Sequence, residues 1–346
     1  EALESAQHFI FMEYFIIEPG KMWDTLLDIL VRKVREGCEV RVMYDDAGCL
    51  GTLPHSYDKY LCSLGIHAVR FNRFIPTLNT YLNNRDHRKI CVVDGNIGFM
   101  GGINLADEYI NERIRFGHWK DTGVRLMGPG VANMTEMFLQ MWEYTTKDRF
   151  LDRARYMPTV VRSGDGYVQP FYDSPLDDRN VGETVFMHII NRAQRYVYIT
   201  TPYLILDNEM ITALTVAAQS GIDVRIITPG IPDKKLVYRV TRSYYQQLHR
   251  AGVKIYEYRP GFLHAKMIVS DDDVAVVGTM NMDFRSFFLH FECGTVLYGG
   301  ETISEIRDDV LDTMGLSRQI DDEWFRSVPW LASIAASILR LFAPML

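Results

Sequence analysis

Short apolar runs alternate with helical patterns along this chain, and the same order occurs twice. The first copy opens with the strand-like run AQHFIFMEYFI (6–16), followed by MWDTLLDILVRKVREG (22–37), in which apolar residues recur at helical spacing. The second copy opens with AQRYVYITTPYLI (193–205), followed by EMITALTVAAQSG (209–221). Because both helical patterns end at a glycine, which suits a helix C-cap, they predict a strand and a helix at the start of two similar halves.

Each half continues with the same further elements. Short β-rich runs follow at 38–46 and 222–230, and a second passage from helix to strand follows at 60–71 and 247–258. Strands that alternate with helices predict a mostly parallel sheet that is covered by helices on both faces. We therefore expect an α/β fold in which two α/β/α sandwich halves are related by pseudo-two-fold symmetry.

The boundary between the halves is predicted from residues that break regular structure. Pro158, Gly164, Gly166 and Pro170 interrupt the pattern between the two copies. On this basis the first half comprises residues 1–160 and the second half comprises residues 161–325. A C-terminal apolar segment follows at residues 326–346.

The C-terminal segment contains the run SVPWLASIAASILRLFAPML (327–346), whose single charge is Arg340. Pro329 lies near its start and suits the first turn of a helix. The apolar stretch is short and interrupted by serines, so we do not predict a membrane span. Two interpretations stay open: the helix lies in the membrane interface, or it packs on the sheet or on a second subunit.

A polar motif closes each half. Residues two apart in a strand point to the same face, so a histidine and a lysine at this spacing project into one space. The glycine-rich segment that follows lets a neighbouring backbone come close, and its asparagine lies 17 residues after the histidine in both copies (104 − 87 and 281 − 264). The motif residues are His87, Lys89, Asp94 and Asn104 in the first half, and His264, Lys266, Asp271 and Asn281 in the second.

These residue types suit chemistry at a phosphodiester. A histidine can attack phosphorus or transfer a proton, whereas lysine and asparagine can stabilise charge on the phosphoryl oxygens. If the two copies face one another, one histidine can attack while the other protonates the leaving oxygen. No metal is needed, because the lysines supply positive charge. Asp94 and Asp271 each begin a tight turn, so a structural role stays open for them beside a catalytic one.

The composition disfavours several functional classes. The net charge of −7 lacks the basic character of a nucleic-acid binder, so we expect no nucleic-acid partner. The five cysteines are odd in number and show no C-x-x-C spacing, which argues against a disulfide framework and a structural zinc site. The chain starts at Glu1 rather than at a methionine, which indicates a fragment or a processed form that a membrane anchor could precede.

The paired motifs resemble the phospholipase D superfamily and, within it, the bacterial cardiolipin synthases. The resemblance covers nearly the whole chain and implies two phospholipase D-like sandwich halves. It also implies a phosphohistidine intermediate, no cofactor, and transfer of a phosphatidyl group between two phosphatidylglycerol molecules to give cardiolipin and glycerol. The stretches that carry it are NNRDHRKICVVDG (83–95), HWKDTGVRLMGPGV (118–131), SYYQQLHRAGVKIYEYRPGFLHAK (243–266) and NMDFRSFFLHFE (281–292).

The resemblance also assigns roles to individual residues. The histidine, lysine and aspartate of each motif would be catalytic, with His87 as the nucleophile, and Asn104 and Asn281 would bind phosphate. Asp121 would orient His87 and Glu292 would orient His264, since a carboxylate on one ring nitrogen fixes the tautomer. The sequence departs from the family pattern at Asp86, where asparagine is expected, and at Gly102 and Thr279, where serine is common.

Three other functions stay open. A hydrolytic phospholipase D is the nearest. A phosphodiester nuclease is less favoured because the net charge is acidic, and a non-catalytic lipid-binding protein is less favoured because both motifs are complete. The resemblance implies phosphatidylglycerol and cardiolipin as ligands, a membrane surface as a partner, and an assembly that could be homo-oligomeric. It places the protein at the bacterial inner membrane, either peripheral or anchored by an upstream segment.

Overall fold

The computed structural model describes residues 1–74, 83–329 and 339–340. Most of the predicted C-terminal apolar helix therefore lies outside the described residues, and its placement stays a prediction. Among the described residues, no helix is both long enough and apolar enough to cross a bilayer.

The first half begins with the strand–helix–strand order that the sequence predicts. Short 3₁₀ helices also lie at Asp107–Ile110 and Arg153–Tyr156. Its strands and α-helices are β1 (Phe9–Tyr14), α1 (Lys21–Arg35), β2 (Glu39–Asp45), α2 (Tyr57–Ser63), β3 (His67–Phe71), β4 (Ile90–Val93), β5 (Ile97–Gly101), β6 (His118–Lys120), β7 (Gly123–Met127) and α3 (Val131–Thr146).

The second half repeats this order with additional elements at its beginning and end. Its strands and α-helices are β8 (Tyr167–Asp173), α4 (Val181–Arg192), β9 (Tyr196–Thr200), β10 (Leu204–Ile205), α5 (Asn208–Gln219), β11 (Asp223–Pro229), α6 (Lys235–Ala251), β12 (Lys254–Tyr258), β13 (Gly261–Leu263), β14 (Met267–Ser270), β15 (Val274–Gly278), β16 (Met282–Asp283), α7 (Phe284–Phe288), β17 (Glu292–Tyr298), α8 (Glu301–Gly315), β18 (Ser317–Ile320) and α9 (Asp322–Ser327).

Each half contains one large sheet with helices on both faces. The first has the order β3-β2-β1-β4-β5-β7, and the second has the order β18-β12-β11-β9-β14-β15-β17-β8. Helices α1 and α2 pack on one face of the first sheet and α3 on the other, whereas α4, α5 and α6 lie opposite α8 on the second. The prediction of an α/β fold with two similar sandwich halves is confirmed.

The sheets are mixed rather than mostly parallel. Parallel pairing joins β1, β2 and β3 in the first sheet and β9, β11 and β12 in the second. The strand that follows each motif histidine instead turns back in a tight hairpin, so β4 pairs with β5 and β14 with β15 in the antiparallel direction. The motif strands thus enter beside β1 and β9 from the opposite direction.

The two halves share backbone pairing and core. Strand β6 of the first half pairs in parallel with β13 of the second, and a single β-bridge joins Asp86 to Phe291. Phe291 and Cys293 also pack in the core cluster of the first half, with Phe11 and Phe138. The two halves are therefore joined by backbone hydrogen bonds as well as by buried apolar side chains.

Asp94 and Asp271 hold hairpin turns at the far end of the motif strands from the histidines. Both have positive φ, at 50° and 57°. The Asp94 carboxylate accepts three N–H bonds of 2.8 Å from residues 7–9 at the start of β1, and Asp271 accepts three from residues 194–196 at the start of β9. At about 3.3 Å per residue, Asp94 lies roughly 20 Å along the chain from His87. These backbone contacts favour the structural role that the sequence leaves open for both aspartates over a catalytic one.

Replacing Asp94 by alanine should therefore destabilise the fold rather than remove a catalytic group. We expect a loss of about 1–3 kcal/mol in the free energy of unfolding, because three backbone N–H groups lose a charged acceptor. Urea unfolding measures this, and Asp94→Asn, which keeps one carbonyl oxygen, should lose less. A protein that unfolds like the wild type but has lost turnover would contradict the structural role.

Candidate active site

The first motif is held by the backbone of the other half. The His87 N–H donates to the Phe291 carbonyl oxygen at 2.9 Å, and the Phe291 N–H donates to the Arg85 carbonyl oxygen at 2.9 Å. The Lys89 ammonium donates to the carbonyl oxygen of His87 itself. His87 and Lys89 are 8% and 2% exposed, so both polar side chains are buried at the place where the halves meet.

A network of buried ion pairs lies beside the first motif. Arg88 lies between the two motif residues in sequence, so its side chain points to the opposite face, where it pairs with Glu13 at 2.5 Å and Asp86 at 3.1 Å. Arg85 pairs with Asp45 at 2.8 Å. The departure at Asp86 is thereby explained, because a carboxylate there neutralises the buried Arg88.

The second motif has a similar backbone contact but an apolar support. The His264 N–H donates to the Lys120 carbonyl oxygen at 2.7 Å, and the Lys266 ammonium donates to the His264 carbonyl oxygen. Leu263 and Ala265 flank the histidine, and both are fully buried. The histidine and lysine of each half thus have the same local geometry. Buried ion pairs lie beside the first motif, whereas apolar side chains flank the second.

Each motif histidine is bound by a carboxylate of the opposite half. His87 Nδ1 lies 2.9 and 3.0 Å from the two carboxylate oxygens of Glu292, and His264 Nδ1 lies 2.7 Å from Asp121 Oδ2. The prediction that Asp121 orients His87 and Glu292 orients His264 is therefore wrong in its pairing. The four residues themselves are the ones that the sequence indicates.

The crossed pairing follows from the backbone contacts between the halves. Glu292 comes directly after Phe291, whose carbonyl oxygen binds the His87 N–H, and Asp121 comes directly after Lys120, whose carbonyl oxygen binds the His264 N–H. The residue after each of these carbonyl groups is a carboxylate, and it therefore lies against the histidine of the other half. Among the described residues, the other ring nitrogen of each histidine, Nε2, has no hydrogen-bond partner.

The two carboxylates are supported differently. The Thr279 hydroxyl donates to Glu292 Oε2. Gly102 occupies the equivalent position of the first motif, where an added Cβ would lie 2.1 Å from Asp121 Oδ1. The first half therefore needs glycine here for Asp121 to reach His264, whereas the second half uses the side chain at this position as a donor. The close approach of Asp121 gives a physical reason for glycine instead of serine at position 102.

Burial keeps both histidines neutral at neutral pH. It lowers the pKa of His87 to about 3 and that of His264 to about 4. It also lowers the pKa of Lys89 to about 8 and that of Lys266 to about 7, so the empty site holds less positive charge than two lysines ordinarily carry. A phosphodiester anion bound among these groups would favour their charged forms.

The carboxylates stay ionised in spite of their burial. Burial alone would raise the pKa of Glu292, but its interactions with His87 and His290 lower it below its usual value. Burial opposes ionisation of Asp121 in the same way, and His264 and Lys266 lower its pKa. Each histidine therefore faces a carboxylate anion, which fixes Nδ1 as the protonated nitrogen and leaves the Nε2 lone pair available.

Charges of one motif act on the other motif. Burial has the largest effect on each group, but the charge of Lys89 also lowers the pKa of His264 and of Lys266. The charge of Asp121 in turn raises the pKa of Lys89. Lysines, histidines and carboxylates from both halves therefore form a single electrostatic unit.

The two motif asparagines are partly engaged within the protein. Asn104 accepts the Ile16 N–H with its Oδ1 at 2.9 Å and donates from Nδ2 to the Tyr109 hydroxyl at 2.7 Å. Asn281 donates from Nδ2 to Asp283 at 3.3 Å. Each amide nitrogen carries two hydrogens, so one N–H of each remains for a phosphate oxygen. Their role in phosphate binding stays a prediction.

Aromatic rings that we did not predict surround both histidines. The rings of Tyr109, Trp119 and Phe262 have centroids 5.5, 5.4 and 5.8 Å from that of His264. Phe15 lies 5.0 Å from His87, and His290 lies 5.6 Å from it. Trp119 and His290 each stand two residues before an orienting carboxylate, and this shared spacing is the sequence signal that could have identified them.

Comparisons with known proteins cover both motifs. A family model described as "Cardiolipin synthase, PLD-like domain" matches residues 1–142 and 186–313, which include both motifs and both carboxylates. An uncharacterised protein of Streptococcus mutans is 50% identical over 99% of this chain and 75% of its own length. Proteins named cardiolipin synthase from Geobacillus kaustophilus and Alkalihalophilus pseudofirmus are 40% and 38% identical, over 99% and 100% of this chain and 69% of their own lengths.

Solved structures support the fold. The phosphatidylserine synthase of Haemophilus influenzae Rd KW20 matches with a TM-score of 0.73 at 13% identity, over 100% of this chain and 92% of that chain. The polyphosphate kinase of Porphyromonas gingivalis matches with a TM-score of 0.56 at 13% identity, over 90% of this chain and 46% of that chain. At these identities the likeness shows a common fold only.

The crossed pairing can be tested one histidine at a time. Glu292→Gln should shift the nitrogen resonances of the His87 ring and leave those of His264 nearly unchanged, and Asp121→Asn should do the reverse. Long-range ¹H–¹⁵N correlation spectra of the imidazoles, assigned with His87→Gln and His264→Gln, measure both effects. Shifts confined to the histidine of the same half would contradict the crossed arrangement.

Proposed function

This chain belongs to the cardiolipin synthase family of phospholipase D-like proteins, and we propose that it joins two phosphatidylglycerol molecules to give cardiolipin and glycerol. As a member of that family it is a phosphatidyltransferase. The observation that carries the proposal is the crossed pair of histidine–carboxylate contacts, each beside a buried lysine. Such a pair supplies a nucleophile, a proton donor and a charged phosphate site within one electrostatic unit.

In the first step, His87 Nε2 attacks the phosphorus of one phosphatidylglycerol. The bond from phosphorus to the oxygen of the departing glycerol breaks, and His264 donates a proton to that oxygen. The phosphatidyl group is then bonded to His87. The ionised Glu292 stabilises the cationic phosphoimidazole through the Nδ1–H bond. The assignment of His87 as the nucleophile follows the family resemblance.

In the second step, a terminal hydroxyl of the second phosphatidylglycerol attacks the same phosphorus. His264, which gave up its proton in the first step, accepts the proton of this hydroxyl, while Asp121 stabilises the resulting cation. The bond between phosphorus and His87 breaks, and cardiolipin leaves. The number of phosphodiester bonds is unchanged over the cycle, so no energy source is required.

Lys89, Lys266 and the free amide N–H groups of Asn104 and Asn281 would bind the phosphoryl oxygens. Both lysines are 2% exposed, so they act in a site of low dielectric, where their attraction for an anion is strong. The bound phosphodiester would raise the lowered pKa of Lys266 and of His264. Substrate binding would thus supply the charge state that the first step needs.

The aromatic surroundings of the site favour lipid transfer over hydrolysis. Tyr109, Trp119 and Phe262 form a small buried cluster beside His264, the residue that would activate the acceptor. An apolar wall there restricts water and suits a lipid glycerol group. A nuclease is disfavoured by the net charge of −7, and a non-catalytic lipid-binding role by the completeness of both motifs.

Exposed aliphatic side chains on two loops of the first half suit contact with a membrane surface. Leu50 is 62% exposed in the loop after β2, at the sheet edge where Asp45 binds Arg85 of the first motif segment. Ile114 is 82% exposed in the loop that leads to Trp119. Large apolar side chains exposed on loops suit insertion among lipid headgroups.

A lipid assay on one preparation tests the proposed reaction. The purified protein, incubated with phosphatidylglycerol vesicles, should release equal amounts of cardiolipin and glycerol, as measured by mass spectrometry and an enzymatic glycerol assay. His87→Ala and His264→Ala should each reduce this rate by at least 10³-fold, because each removes a reacting group. His188→Ala, which removes an exposed imidazole on α4, is the matched control and should keep the wild-type rate.

Two outcomes would contradict the proposal. Phosphatidic acid as the main product would show that water is the acceptor and that the protein is a hydrolytic phospholipase D. Full activity in either His87→Ala or His264→Ala would exclude a site that both histidines share.

A further inference from the structure

His290 is a buried imidazole that the proposed reaction does not use. Its side chain is 10% exposed, and among the described residues its Nδ1 lies 3.7 Å from Glu292 Oε1, beyond hydrogen-bond distance, while its Nε2 has no hydrogen-bond partner. It stands two residues before Glu292, so both side chains project toward the same space. A polar ring in this position costs free energy unless something binds it, which indicates a ligand that completes the group.

His290, His87 and Glu292 together have the composition of a metal site. One potential ligand atom from each lies within 4.8 Å of the other two. Nδ1 of His87 lies 2.9 Å from Glu292 Oε1, and Nδ1 of His290 lies 3.7 Å from the same oxygen. A tetrahedral zinc ion with bonds of about 2.0–2.1 Å separates its ligands by roughly 3.3 Å, between these two distances. Small rotations of the two rings would therefore enclose the ion.

We propose that His87, His290 and Glu292 form a Zn²⁺ site that inhibits the enzyme by capturing its nucleophile. Two imidazoles and one carboxylate are a known ligand set for zinc with an open fourth position. Water or a phosphate oxygen would fill that position. Phe15 and the Thr279 hydroxyl, which contact His87 and Glu292, would hold the ligands in place.

Inhibition follows from the tautomer that the metal imposes. In the metal-free site the His87 proton is on Nδ1, in the bond to Glu292, and the Nε2 lone pair is free to attack phosphorus. Zinc bound to the Nδ1 lone pair moves the single ring proton to Nε2. Nε2 then has no lone pair to donate, and Glu292 is bound to the metal instead of to the histidine.

The buried lysines set a limit on the affinity. Lys89 and Lys266 lie in the same electrostatic unit as Glu292, and their positive charge opposes a dication. We therefore expect weaker binding than in structural zinc sites with several anionic thiolates. Binding of this strength suits reversible inhibition.

The inhibition rests on the proposed function, but zinc binding does not, and the two can be measured separately. Protein freed of metal with a chelator is titrated with ZnSO₄ by calorimetry without lipid, and then assayed for lipid products at each zinc concentration. We expect one zinc per chain, inhibition over the same concentration range, and full recovery with excess chelator. Co²⁺ in place of zinc should give visible absorption bands typical of four-coordinate nitrogen and oxygen ligation.

Variants of His290, the third proposed ligand, test whether zinc binds at this site. His290→Ala should weaken zinc binding at least tenfold and raise the inhibitory zinc concentration by the same factor, relative to its own metal-free rate. His290→Asn, a smaller polar replacement, covers the case in which the alanine variant does not fold. His87→Ala should also weaken calorimetric binding, although it has no turnover to inhibit. His188→Ala should bind zinc like the wild type.

Wild-type zinc affinity in both His290 variants would overturn the proposal, as would zinc inhibition that persists unchanged in them. If zinc binds as expected while the lipid products show hydrolysis, the metal site stands and the proposed function fails. If cardiolipin forms but no zinc binds at concentrations up to a millimolar, the metal site fails and the proposed function stands.

Discussion

The active site depends on two backbone hydrogen bonds that cross between the halves of the molecule. They join the N–H of His87 to Phe291 and the N–H of His264 to Lys120. Each bond places the next residue, Glu292 or Asp121, against the histidine of the opposite half. Neither half alone contains a motif histidine together with the carboxylate that binds it, so the site requires both halves.

These crossed contacts also reduce the free-energy cost of burying charged groups. Two lysines, two carboxylates and two histidines are nearly inaccessible to water, and isolated charges there would be strongly destabilised. The site reduces this cost by keeping the histidines neutral, by lowering the pKa of the lysines, and by pairing each carboxylate with an N–H donor. A bound phosphodiester completes the charge balance, which gives the substrate a role in assembling the reactive state.

The sequence predicts what is local or repeated, and fails where distant segments meet. The repeat predicts two α/β halves, and the His-x-Lys spacing predicts which side chains share a face. The crossed pairing could not be read from spacing, because Glu292 lies 28 residues from His264 but 205 residues from its actual partner His87. Asp94 belongs to the motif by spacing, yet its role became clear only when the start of β1 was placed beside it.

The central claim is that the two histidines act on one phosphorus atom. A crystal structure with orthovanadate, which mimics a phosphoryl group in transfer, tests this most directly. We expect one vanadate bonded to Nε2 of one motif histidine, with Nε2 of the other within about 2.6–3.2 Å of an opposite vanadate oxygen. Lys89 and Lys266 should both contact its oxygens. Vanadate held by one histidine while the other faces a separate cleft would contradict the account.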